Sequence, residues 1–228
     1  MRKLVFIFVF LFTLFACKKT ETEQVDIGLD YYPTSTAFFK VFQVVSLVFN
    51  NFTESVDTFQ YFIKETIVGD YEVETETRTS VLDQKKLQLA DPFWTDIKAW
   101  SFQKDKFTVE ENKNNLPKIV LIFPIKSGIS WNSNTRNSLE KEDYTITSQG
   151  SESILGKTFE NTITVEKFDE TDPLQLNTEI GEEMYAPGVG LIYLYEKRVK
   201  RFTTGKATDT PVDSGFVLTK QLIEYGQQ

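Results

Sequence analysis

The sequence predicts an all-β protein: a single antiparallel domain, in the form of a curved sheet, half-barrel or sandwich, behind an N-terminal tether. Three observations carry this. Apolar residues recur with period two, turn-forming residues separate the runs, and no stretch holds a 3.6-residue apolar stripe capped at both ends.

The chain opens on Met1-Arg2-Lys3, a short positive region, followed by Leu4–Phe15, twelve residues that are apolar apart from Thr13. This is the charge-then-core arrangement of a signal peptide, and the core is too short to span a bilayer, which takes about 20 residues. Leu14-Phe15-Ala16-Cys17 then resembles the lipobox of bacterial lipoproteins, with Leu at −3, small Ala at −1 and Cys at the cleavage point. The resemblance implies that residues 1–16 are removed and that Cys17 carries the lipid, a diacylglyceryl group with further acylation such as palmitate. Two or three chains anchor durably where one holds only marginally. Residues 17–25 follow as lipid anchor and flexible tether, charged and polar from Lys18 to Glu23 without apolar periodicity.

Residues 26–228 read as one β-rich domain. Asp57–Val68 alternates, with Phe59, Tyr61, Ile63 and Ile67 on one face and Glu65 the exception to it. Tyr71–Arg78 alternates more strictly and predicts a strand with a wet, charged face. Lys157–Lys167 does the same. Phe38–Phe49, Ile119–Ile125 and Leu191–Tyr195 are apolar on both faces and predict covered strands, and Phe216–Tyr225 predicts a closing strand. Turns are expected at Asn50-Asn51, Gly69-Asp70, Asp91-Pro92, Asn112–Asn115, Ser127-Gly128, Asn132–Asn134, Gly150 and Pro187-Gly188. Tyr31-Tyr32-Pro33 is expected to dock the tether on the domain.

Several phrases occur in order along this region: Asp30-Tyr31-Tyr32-Pro33, Val56–Tyr61, Val120–Ile125, Trp131-Asn132-Ser133-Asn134 and Tyr185–Tyr193. Together they resemble the uncharacterised envelope lipoproteins of Bacteroidetes. The chain departs from that group at Thr34–Ala37, where a Leu-x-Val-Gly phrase is usual, and at Ser133, where Gly is usual. The resemblance implies a β-rich lipoprotein of the cell envelope, in the outer membrane, and supplies no activity.

Composition narrows the chemistry. The chain has 228 residues and no histidine, which removes the commonest general base and the usual partner of a Ser or Cys nucleophile. Cys17 is the one cysteine, so no disulfide or thiolate cluster forms within the chain. Loss of Arg2 and Lys3 from 25 basic residues leaves 23 against 33 acidic, a formal charge of −10 that disfavours nucleic acid.

Each candidate constellation has a plainer reading. Gly188-Val189-Gly190 precedes a strand, so it reads as a turn and not as a phosphate loop. Glu182 and Glu183 are adjacent and would point to opposite faces of a strand. With Glu140, Glu142 and Asp143 they read as solvated surface. Asp209, Asp213 and Gly215 lack the spacing of a calcium loop. No catalytic residue, metal site or cofactor is predicted. Trp94, Trp100 and Trp131 are the candidate ligand-binding residues. The first two are six apart and would share a face on one strand. The expected function is a non-enzymatic accessory or binding module, anchored in the membrane by its lipid, with envelope proteins, a glycan or a lipid as partner. A carboxylate-dependent glycan hydrolase is the alternative.

Overall fold

The computed structural model describes residues 26–73, 76–171, 176–201 and 212–228. They contain twelve strands: β1 Phe38–Asn50, β2 Ser55–Val73, β3 Glu76–Lys86, β4 Thr95–Lys104, β5 Thr108–Lys113 and β6 Leu116–Ile122, then β7 Ser130–Asn132, β8 Asp143–Ile154, β9 Lys157–Thr171, β10 Asn177–Ala186, β11 Gly190–Lys200 and β12 Ser214–Gln227. The described residues include two 3-10 turns, Leu29–Tyr31 and Ser133–Arg136, and no α-helix. All strands form one antiparallel sheet in the order β6-β5-β4-β3-β2-β1-β12-β11-β10-β9-β8-β7. Each strand pairs with its sequence neighbour, except that β1 also pairs with β12 and that β6 and β7 are left as the two edges. The result is an all-β single domain, a nearly closed, barrel-like sheet.

Side chains close the seam between the edges. Trp131 donates its Nε1–H to the Ile119 carbonyl oxygen (2.9 Å), and Asn137 donates Nδ2–H to that of Pro117 (2.6 Å). These bonds use carbonyls that an exposed edge would offer to another chain. Curvature comes from bulges, which sharpen strand twist. Register shifts occur in β2 between Ile67 and Gly69, in β11 opposite Met184/Tyr185, and in β12 opposite Val41/Phe42.

Two expected turns are therefore not turns. Gly69-Asp70 lies inside β2 at its bulge, and Gly150 lies inside β8. Conversely, Tyr71–Arg78 is a hairpin and not one strand, with Tyr71 paired to Arg78. Tyr71, Glu72, Val73 and Thr77 are exposed, and no Gly, Pro or Asn stands in the sequence between Val73 and Arg78. The Asn114-Asn115 turn is as expected. Both residues have φ near +60°, which the two-residue loop requires and Asn tolerates.

The alternating apolar residues fill the interior in two clusters. One gathers Val81, Phe102, Val109, Leu121, Ile146, Ile163 and Tyr185 with Tyr32, and the other gathers Phe42, Val44, Ile63, Phe159, Ile192 and Leu222. Tyr32 enters from the segment before β1, buried with its ring edge-on to Phe102 at 4.9 Å. Lys104 holds that segment by donating to the carbonyl oxygens of Leu29 (2.5 Å) and Tyr32 (2.7 Å). The Tyr31-Tyr32-Pro33 phrase thus docks the entering chain on the domain.

Candidate functional site

The interior carries charge as well as apolar residues. Glu65, the exception on the apolar face of β2, lies directly opposite Lys40 of β1 and Asp83 of β3. Its carboxylate accepts from Lys220 of β12 and lies 3.3 Å from the Lys40 Nζ. Burial alone would raise the Glu65 pKa. Lys220 and Lys40 outweigh it and hold the carboxyl well below the usual range. Burial pulls Lys40 down, opposed by Glu65 and reinforced by Lys220.

Asp83 goes the other way. Burial and the nearby Glu65 raise its pKa, while it accepts a 2.7 Å hydrogen bond from the Trp100 Nε1–H. On β5, Glu111 accepts from the Tyr32 hydroxyl (2.7 Å) and from Lys113 (2.5 Å). Burial works against the Lys113 charge, and Glu111 with Glu65 overcomes it, so its pKa stands above the ordinary value. Across the interior, Glu183 accepts from Lys167 (3.1 Å) and the Tyr185 hydroxyl (2.6 Å). Burial, opposed by Lys167, pushes the Tyr144 hydroxyl up to about 12.

Each of the four carboxylates is thus engaged, Glu65, Glu111 and Glu183 by the lysines named and Asp83 by Trp100 and, at 3.7 Å, by Lys98. The cavity beside Lys40, Glu65 and Trp100 has a volume of about 20 Å³, room for one water, whereas small-molecule sites run to roughly 300–1,000 Å³.

The outward face of β2 to β6 is open. Two concavities of about 260 and 430 Å³ both border Asn112, forming a continuous groove. Strand alternation builds it. Phe102 and Glu111 point inward, so their neighbours Ser101, Gln103, Glu110 and Asn112 point out. The Arg78 Nη2 lies 3.2 Å and the Arg136 Nε 3.8 Å from opposite oxygens of Glu110. Tyr71, Asn114 and Asn115 complete one end of the groove.

The structure does not gather the three tryptophans. Trp100 is buried, at 7% exposure, and its indole is fixed by Asp83 while it borders both the small cavity and the groove. Trp131 closes the seam and packs edge-on to Tyr144 at 5.9 Å. Trp94 precedes β4, with the Lys86 Nζ 4.6 Å from its ring centre. The six-residue spacing does not put Trp94 and Trp100 on one face. Trp94 lies outside the strand, and Ile97 is an extra residue between Asp96 and Lys98. Glu182 and Glu183 do diverge, but Glu183 is not the solvated residue expected: it is buried and paired with Lys167, and Glu182 is turned outward. Glu142 and Asp143 pair with Lys118 and Lys141. Cys17 and Asp209 lie outside the described residues. Gly215 is a strand residue with φ +121°, where an added Cβ would meet the Arg198 carbonyl oxygen at 2.0 Å.

Neither the belt of interior charges nor the groove is legible in the sequence. Glu65 was visible as a charge on an apolar face, and the pairing of that face with Lys40 and Lys220 was not.

No protein-family model matches the chain, and no curated sequence matches it significantly. Among solved structures, it is similar to a candidate lipoprotein of Parabacteroides distasonis, with TM-score 0.41 and 10% identity over 86% of this chain and 98% of that one. It is also similar to a candidate exported protein with a YmcC-like fold from Bacteroides fragilis, with TM-score 0.35 and 8% identity over 85% and 98%. Likeness at this level carries no argument about function.

Proposed function

We propose that the chain is a lipid-anchored envelope lipoprotein of the outer membrane that acts by binding and not by catalysis. The observation that carries this reading is the interior belt: each of its carboxylates is engaged, and the cavity beside Lys40 and Glu65, about 20 Å³, has room for one water. A hydrolase needs an acid poised to donate and a cleft that admits its substrate. The signal peptide at 1–16 and the acylated Cys17 supply the anchor. Eight residues separate Cys17 from Asp26, a reach of roughly 30 Å at ~3.3 Å per residue.

One observation favours the hydrolase alternative. Glu65 and Asp83 are cross-strand neighbours whose pKa values move in opposite directions, as acid and nucleophile do in a glycosidase. The experiment that decides has two arms. Labelled palmitate should enter the wild-type chain and not Cys17→Ala, and continued labelling of that variant overturns the anchor. Polysaccharides incubated with the protein should release no reducing ends, and release that disappears in Asp83→Asn overturns the binding reading.

A further inference from the structure

We infer that the groove on the outward face of β2 to β6 binds a neutral saccharide chain, an inference that rests on the binding reading above and names its ligand class. The first argument is unspent hydrogen-bonding capacity. Gln103, Asn112, Asn114 and Asn115 line the groove, and none of their side chains hydrogen-bonds within the described residues. Each amide offers two donors and an acceptor, the mixed pattern that vicinal hydroxyls satisfy.

The second is charge. Arg78 and Arg136 share Glu110, and Asp105 is turned back into its own loop, accepting from the backbone N–H groups of Phe107 (2.6 Å) and Thr108 (2.7 Å). Among the described residues that line the groove, two cations balance two carboxylates, on a chain that is acidic as a whole. A polyanion finds no net attraction there.

The third is rigidity with a flat apolar surface. The amides stand on paired strands and a tight turn, which hold their positions. Tyr71 is 41% exposed at the groove's end, where its ring can cover the apolar face of a pyranose.

The test is titration of the full chain in detergent with neutral hexasaccharides (cello-, malto-, manno- and xylo-) and with hexagalacturonate as the anionic counterpart. At least one neutral hexasaccharide should bind, with little dependence on salt. Tyr71→Ala and Asn112→Ala, both surface changes, should each weaken binding about tenfold while leaving thermal unfolding in place. Preference for hexagalacturonate, neutral binding untouched by both variants, or no binding by about 10 mM each overturns the inference. Release of reducing ends would instead overturn the non-enzymatic reading and leave the site standing, so the two failures are distinguishable.

Discussion

Replacing Glu65 by Gln removes one charge and almost no volume from a site where the side chain is 6% exposed. Lys40 and Lys220 then face each other, 16% and 14% exposed, with no anion between them. Removing one partner of a buried ion pair costs about 3–5 kcal/mol, because the remaining charge is left uncompensated. With a urea slope of about 2–3 kcal/mol/M for a domain of this size, the unfolding midpoint should fall by roughly 1–2 M. Adding Lys220→Met removes the surplus cation and should recover at least half of that loss. The acid limb gives a second readout. The Glu65 pKa is lower in the folded chain than its ordinary 4.5, so its contribution is fully present above that value and lost as pH falls below it. The wild-type protein should lose stability steeply below about pH 5, and Glu65→Gln should flatten that slope. Urea titrations followed by tryptophan fluorescence at several pH values measure both effects. A midpoint shift below about 0.3 M, or a double variant no more stable than the single one, would refute the reasoning.

Asp83→Asn should act oppositely. Its pKa is raised above 3.8, so ionisation costs stability as pH rises through that value, and Asn keeps an oxygen for the Trp100 indole. The variant should gain stability at pH 7, less whatever the 3.7 Å contact with Lys98 contributes, and converge with wild type in acid, and a loss at pH 7 in a urea titration would contradict this. Trp131→Phe keeps an aromatic ring beside Tyr144 and loses the bond to Ile119, at a cost of about 1 kcal/mol. Amide exchange should quicken in β6 and stay unchanged in β1 and β2, and uniform quickening would show that the bond is not what closes the seam.

Period two made the strand content legible, because one buried face imposes it residue by residue. Asp57–Val68 and Lys157–Lys167 lie in strands for that reason. Features that depend on two distant strands were not legible. Glu65 reads as a flaw in an apolar face until β1 and β12 bring Lys40 and Lys220 to it. Bulges hide as well. Gly69 resembles a turn residue and Ile97 resembles any other strand residue, yet each shifts the register and changes which side chains share a face. The groove is assembled from β2 to β6, so no single run of sequence contains it.

The pairing of Phe38 with Gln227 joins the beginning and end of the described chain. A ribosome delivers β1 first and β12 last, so every hairpin along the chain can form while synthesis continues, but the ring cannot. Until the last fourteen-residue strand arrives, β1 offers an open edge rich in Val and Phe, the kind of surface that recruits other strands. Glu65 meanwhile waits for a lysine 155 residues away. An incomplete chain is therefore sticky and carries a buried charge without its full set of partners. Closure of the ring therefore comes at the last moment, when β12 pairs with both β1 and β11.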